Sequence, residues 1–351
     1  MFNEPEIQPT MSDCFSTSTT RSAQRLQWAR HVCGDHSLQL EPASADASAR
    51  SYWRPNQRER QYLVMDSPPA TEPLQPWLAV RAHLATAGVR VPAVFDVDCN
   101  HGFALLEDLG PATLLSVLTP DSADRWFKAA LAQLIRLQRA PIPANIGHFD
   151  ARQLERDASL FSDWFLQHHL QLHLSRTVIS ALGDIQSHMA DCLDRQPSVL
   201  VHRDFMPRNL IPLDEEVAVI DFQDCLRGPI SYDPISLFKD TQISWPLSAI
   251  KRWLSAYYDW AQQAGLLHAP LPQFLQDADW MGIQRHLKVL GIFARLHHRD
   301  GKSHYLAEIP RIVHYLIEIL PQYPLFAPLY TLLLDGVLPA LAQQQLVQRS
   351  I

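Results

Sequence analysis

The stretch VLVHRDFMPRNLIPLDEEVAVIDFQD, residues 199–224, places His202, Arg203, Asp204, Asn209 and Asp221 among aliphatic and β-branched neighbours. Charged groups flanked by apolar strands cost desolvation energy unless something compensates. The apolar runs 210–213 and 217–220 are separated by Asp214-Glu215-Glu216, a short polar turn, and predict a β-hairpin. Paired strands lie about 5 Å apart, so the open ends of that hairpin meet. Those ends carry Asn209 and Asp221, one carboxamide and one carboxylate, both hard oxygen ligands of the kind that suit Mg²⁺. Asp204, on the loop leading in, is placed to accept a proton without being a metal ligand.

Working outward, the 351 residues suffice for two domains or lobes around a substantial core. Composition is that of an ordinary globular chain, 47% hydrophobic and 19% charged. A net charge of −7 without a dominant basic block argues against nucleic acid as a partner. The five cysteines are scattered, with no CxxC pair, and read as reduced thiols. Residues 1–23 lack an apolar signal core, and the apolar stretch 323–341 contains Pro324, Pro328, Asp335 and Pro339, so no bilayer span is expected. The expectation is a cytoplasmic globular protein without membrane partners.

Residues 1–24, rich in Ser and Thr, are expected to be disordered. A helical pattern covers 23–32, and residues 25–110 are expected to form a small β-rich lobe, with strands at 50–54, 61–65, 93–97 and 103–107 and a helix inserted at 76–87. Glu107-Asp108-Leu109-Gly110-Pro111 is a breaker and a candidate hinge. Residues 111–351 form a larger, mostly helical lobe. Thr119 as N-cap and Pro120 as first residue predict a helix to about 139, and helical periodicity returns at 151–173, 178–195, 247–264 and 280–298.

The spacing His202-Arg203-Asp204, then Asn209, then Asp221, is the HRDxxxxN-plus-Asp pattern of phosphoryl-transfer enzymes. Together with the Asp221-Phe222-Gln223-Asp224 and Gly228-Pro229-Ile230-Ser231-Tyr232-Asp233 segments, it resembles the aminoglycoside phosphotransferase superfamily. Within it the chain is most similar to the bacterial anomeric kinases of N-acetylmuramate and N-acetylglucosamine, which serve cell-wall recycling. The likeness runs through SARSYWR, YLVMDSPP and LLEDLG to QRHLKVLGIFARLHHRDGKSHYL, from about residue 25 onward. It implies an α+β, two-lobed protein-kinase-like fold that transfers the γ-phosphoryl of ATP to the C1 hydroxyl of an amino sugar. Asp204 is then the base, and Asn209 and Asp221 hold Mg²⁺. Backbone groups from Glu107 through Leu109 to Gly110 meet adenine. Late-helix residues such as Arg285 and Arg295, with Arg208 and Asp224 beside the motif, are candidates for contact with the sugar. Other acceptors, an aminoglycoside or an amino alcohol, and a nucleotide-binding regulatory pseudokinase are the competing readings.

Two departures from the broader kinase pattern stand out. No glycine occurs between Gly34 and Gly88, so the candidate phosphate loop is 42–49, with Ser44 or Ser48 as donors. No lysine precedes Lys128, and Met65 stands near the place of the usual strand lysine. Arg50 and Arg54 share a strand face and are the candidates to balance the nucleotide's phosphates. His169 and His173 read as an i, i+4 pair on a helix with no third metal ligand evident. Asp157, Asp163 and Trp164 are candidates to border an acceptor pocket, and Tyr232-Asp233 to brace the catalytic loop.

Overall fold

Strands β1 (Leu40–Ser44), β2 (Ser51–Pro55), β3 (Tyr62–Asp66), β4 (Val94–Asp98) and β5 (Phe103–Glu107) form an antiparallel sheet in the order β1-β2-β3-β5-β4. In the computed structural model of the chain, residues 20–44, 49–56 and 61–349 are described. The expected disorder of 1–24 falls mostly outside them, but helix α1 (Arg21–Cys33) begins before residue 24, capped by the Thr20 hydroxyl. Its Ala29 packs with Leu38, Val64 and Leu105, and Trp28, Trp53 and Tyr62 close the cluster. Asp66, 3% exposed, is compensated by Arg21 and Arg25 at 2.5 and 2.7 Å.

The first part of the expected phosphate loop is instead strand. Residues 42–44 belong to β1, with Pro42 opposite Trp53 and a bulge before Ser44. A proline there weakens the sequence signal for a strand, yet β1 lies at the edge of the sheet, where a missing N–H is tolerated. Ser48 lies outside the described residues.

This sheet and its helix form one compact unit, Met1–Leu74 with Ala93–Asp108; the other comprises Gln75–Pro92 and Leu109–Ile351. The division differs from the expected boundary: Gln75–Pro92, with most of helix α2 (Leu74–Thr86), belongs with the second unit, and the later crossing falls between Asp108 and Leu109 rather than after residue 110. Trp77 packs against Phe222 with the rings tilted and their centroids 5.2 Å apart, and the N–H of Val219 donates to the carbonyl of Arg90 at 2.7 Å.

The second unit continues with α3 (Leu114–Val117), α4 (Ala123–Arg139), α5 (Ala151–Ser159) and α6 (Arg176–Arg195). Two small antiparallel pairs follow, β6 (Ser198–Val201) with β9 (Leu226–Pro229) and β7 (Leu210–Pro212) with β8 (Val217–Val219). Helices α7 (Tyr232–Phe238), α8 (Leu247–Gln263), α9 (Leu271–Asp300), α10 (Ile309–Ile319), α11 (Ala327–Leu332) and α12 (Leu338–Arg349) complete it. Its core includes a nest of rings in which Phe127 meets Phe238, Trp245 and Trp253 edge-on at 5.2, 5.8 and 4.6 Å.

Helix α4 opens at Ala123, three residues after Pro120, because Thr119 and Ser122 spend their hydroxyls on each other's backbone N–H groups in a closed turn. The helix expected over 151–173 also changes character. From Leu160 to His169 the chain winds as a π-helix, and His173 lies beyond its end. Gly291 of α9 explains the crossing: a Cβ there would stand 2.2 Å from the Leu160 carbonyl oxygen. Only glycine permits that approach.

His169 and His173 therefore do not share a helix face. His169 is 9% exposed, and its Nδ1 lies 3.1 Å from Nε2 of His298. Burial, reinforced by the neighbouring imidazoles of His298, His297 and His168, lowers its pKa to about 4.

The C-terminal prolines do not break the chain's helical course. Pro324 and Pro328 sit in first turns. A π-turn over Leu333–Val337 directly precedes α12, whose second residue is Pro339. The run Pro324–Gln344 contains an 18-residue window of mean hydropathy 1.7 and meets the length and composition needed to cross a membrane, with 22% of that window buried. One stripe, Phe326, Leu329, Leu333 and Val337, is fully buried, and α11 lies against α6.

Candidate active site

Strands β7 and β8 pair in the register Leu210↔Val219, Ile211↔Ala218, Pro212↔Val217, with every residue but Pro212 buried. The register brings the two open ends together as expected. The Ile220 N–H donates to the Asn209 carbonyl at 3.1 Å, and Asn209 Nδ2 donates to Asp221 Oδ2 at 3.3 Å. The same Nδ2 donates to the Asp204 carbonyl oxygen at 2.9 Å, so one carboxamide ties the loop to the hairpin. Asp221 Oδ1 accepts from Gln223 Nε2 at 2.8 Å. Its spacing of two residues after Asp221 is the only signal the sequence offered for Gln223.

Two residues of this cluster, Arg203 (φ 75°) and Asp221 (φ 63°), hold left-handed backbone conformations without being glycine. Each costs roughly 1–3 kcal/mol and persists only where its surroundings over-determine it. The constraint on Arg203 is visible. Asp233, fully buried in the first turn of α7, accepts the backbone N–H of His202 at 2.7 Å and of Arg203 at 3.0 Å. Burial pushes the Asp233 carboxyl up to about 7, although both N–H groups act to lower it. The bracing role expected of the 232–233 pair is thus carried by the Asp233 side chain.

His202 is completely buried, and its ring Nε2 lies 3.0 Å from the Ile220 carbonyl. A carbonyl oxygen only accepts, so Nε2 carries the proton in this contact, and burial holds the ring's pKa below its ordinary value. The histidine therefore spans from the loop to the residue before Asp221.

The other sequence candidates divide. Arg208 and Asp224 are exposed, next in sequence to Asn209 and three residues from Asp221. Arg285 is 4% exposed on α9, within the electrostatic reach of Asp233 and Asp240, and among the described residues its Nη1 has no hydrogen-bond partner. Arg295 is half-buried ten residues further along α9. Asp157 is engaged structurally, accepting from Gln153 at 2.7 Å and Gln284 at 2.9 Å. Asp163 is exposed and accepts from Ser162, and Trp164 is half-buried against His168.

In the first unit Arg50 is 6% exposed. It pairs with Glu72 at 3.1 Å and donates to the Ser67 hydroxyl at 3.3 Å. Arg54 instead forms a two-point ion pair with Asp108. Arg50 stands one residue before β2, and Arg54 lies within it. Glu107 accepts from the Ala93 N–H at 3.0 Å, and the chain passes from one unit to the other between Asp108 and Leu109.

Comparison with known proteins matches residues 39–269 to the phosphotransferase enzyme family model. The N-acetylmuramate/N-acetylglucosamine kinase of Pseudomonas aeruginosa is 42% identical over 299 residues, 84% of this chain and 88% of that protein. The protein of the same name from Neisseria meningitidis is 36% identical over 326 residues, 90% and 96% of the two chains. Among solved structures, an ethanolamine kinase of Plasmodium vivax superposes with a TM-score of 0.61 at 11% identity, covering 86% of this chain and 90% of that one. An ADP-bound aminoglycoside phosphotransferase, APH(2'')-Ib, gives 0.55 at 14% identity, covering 82% and 97%. The fold is accordingly the α+β, protein-kinase-like one that the hairpin and its flanking motifs led us to expect.

Proposed function

Because the chain belongs to the phosphotransferase enzyme family, we propose that it transfers the γ-phosphoryl group of ATP to the anomeric C1 hydroxyl of N-acetylmuramate or N-acetylglucosamine, in the cytoplasm, during cell-wall recycling. The observation that carries the acceptor is the identity of 40–42% with kinases of these two sugars, sustained over 84% of the chain. The convergence of Asp204, Asn209 and Asp221 on one hairpin mouth supports phosphoryl transfer independently.

In this reading the Asp204 carboxylate orients the acceptor hydroxyl and takes its proton. The donor set at the hairpin mouth fits a hard divalent ion: a carboxamide and a carboxylate approach to 3.3 Å, and the anchored Nδ2 of Asn209 leaves its oxygen available. Mg²⁺ held by Asn209 and Asp221 supplies charge neutralisation at the nucleotide phosphates when bound. Of the four sugar candidates, Arg285 and Arg295 each keep a buried guanidinium nitrogen, Nη1 and Nε, without a partner among the described residues, which suits them to meet an anionic or carbonyl oxygen of the acceptor.

Arg50 takes the role of the absent lysine, its pairing with Glu72 fixing the guanidinium beside the end of the β1–β2 connection. Arg50→Ala is expected to raise the apparent KM for ATP about tenfold or more, and Arg50→Lys to restore part of it. Steady-state kinetics at saturating sugar check this. Unchanged KM in Arg50→Ala places the compensating charge on another group.

The regiochemistry tests the whole proposal. An anomeric hydroxyl is more acidic than an ordinary alcohol, because the ring oxygen draws electron density from the same carbon. A carboxylate therefore suffices to receive its proton late in the reaction. Incubation with either sugar and Mg–ATP is expected to consume reducing ends in step with ADP release, with phosphorus–proton coupling to the anomeric proton. A product that keeps its reducing end and couples to the C6 protons overturns the anomeric assignment but not the kinase. Turnover only with aminoglycosides or amino alcohols overturns the acceptor.

A further inference from the structure

At the far end of α9 from Arg285, three imidazoles from two separate segments meet. His169 closes the π-helix, and His297 and His298 occupy the last turn of α9 before Gly301 caps it. One ring nitrogen from each lies within 4.8 Å of the others. We propose that His169, His297 and His298 bind a single imidazole-preferring divalent transition-metal ion of the Zn²⁺ type, with water in the remaining position.

The distances carry the inference. Two nitrogens on a tetrahedral zinc, each at 2.0–2.1 Å, stand about 3.3 Å apart. His169 Nδ1 and His298 Nε2 stand at 3.1 Å, close to that edge. His297 Nδ1 is already engaged with the Ser303 hydroxyl at 2.9 Å, which leaves Nε2 as its ligand atom. A metal-bound histidine commonly holds its other ring nitrogen in such a bond, because the bond fixes tautomer and ring orientation. The backbone is fixed on both sides. The His169 carbonyl accepts from Gln344 Nε2 at 2.8 Å, and the tight crossing of Gly291 on Leu160 sets the separation of the two segments.

The chemistry selects the ion. Nitrogen ligands without a carboxylate suit Zn²⁺, Ni²⁺ or Cu²⁺ and exclude Mg²⁺ and Ca²⁺, so this site does not compete for the ion at Asn209 and Asp221. Thirteen helical residues separate Arg285 from His298, about 20 Å along α9. The ion therefore acts as a clamp between the π-helix and the end of α9, and His298, which is exposed, provides its entry. The competing account is a hydrogen-bonded imidazole pair that holds no metal.

The test uses the full chain, freed of any affinity tag, stripped with EDTA and titrated with Zn²⁺ and Co²⁺. One equivalent of Zn²⁺ is expected to bind with a submicromolar Kd and raise Tm, and Co²⁺ to develop the intense visible bands of four-coordination. His298→Ala, at an exposed position, and His297→Ala are expected to weaken Zn²⁺ binding at least tenfold and abolish those bands. The metal-free Tm of His298→Ala is expected to match that of the metal-free parent, while His297→Ala also loses the bond to Ser303. His169→Gln is secondary, since its burial couples it to folding. Zn²⁺ binding no tighter than tens of micromolar, or affinity unchanged in both α9 variants, overturns the site. So does a Co²⁺ spectrum that stays octahedral.

Discussion

Asp204→Asn is expected to lower kcat by about two to four orders of magnitude, the range general-base catalysis commonly supplies. The substitution is nearly isosteric and keeps the backbone carbonyl to which Asn209 Nδ2 donates at 2.9 Å. The hairpin mouth is therefore expected to hold its shape, and the affinity for Mg–ATP to change little. A fall in kcat with a steady nucleotide Kd separates loss of the base from loss of the site. Single-turnover rates and nucleotide calorimetry on one preparation measure both. Near-normal turnover removes Asp204 from the mechanism.

Asp221→Ala is expected to abolish Mg²⁺-dependent nucleotide binding, and Asn209→Ala to weaken it less, because a neutral ligand contributes less Coulombic attraction. The backbone complicates the first variant. Asp221 has φ 63°, a conformation asparagine adopts more readily than alanine, so Ala adds strain to the loss of charge. Asp221→Asn keeps the conformation and removes the charge, together with one of the two oxygens that accept from Asn209 and Gln223. If charge is what holds the ion, Asp221→Asn is expected to lose Mg²⁺-dependent binding nearly as completely as Ala while melting closer to wild type. Calorimetry that finds Mg–ATP binding intact in Asp221→Asn excludes it as a metal ligand.

The hairpin was legible because three acidic residues between two aliphatic runs are a local signal, and the observed strands fall within one residue of the expected ends. Strand β1 was not, since Pro42 and the small residues around it carry little β-propensity, and its pairing with β2 supplies what the sequence lacks. The start of α4 was misplaced because Thr-Pro-Asp has the chemistry of a cap, and a closed turn uses the same hydroxyls. Asp233 was expected to be a brace from its place in the motif. That its carboxylate takes two consecutive N–H groups required the fold. The π-helix and the meeting of His169 with His298 were out of reach, because 129 positions and a glycine crossing separate them from any local pattern.

The hold of Asp233 on His202 and Arg203 also sets an order in time. The loop is synthesised 31 residues before the side chain that shapes it. At 5–20 residues per second, Asp233 is added roughly 2–6 s after His202, and it must still clear the ribosome and dock with α7. During that interval the nascent chain carries the complete HRD sequence, but Arg203 has nothing to keep it in the left-handed region. Competence to grip a phosphate-bearing ligand therefore arrives late in synthesis, and a chain released before residue 233 has every residue of the motif without its shape.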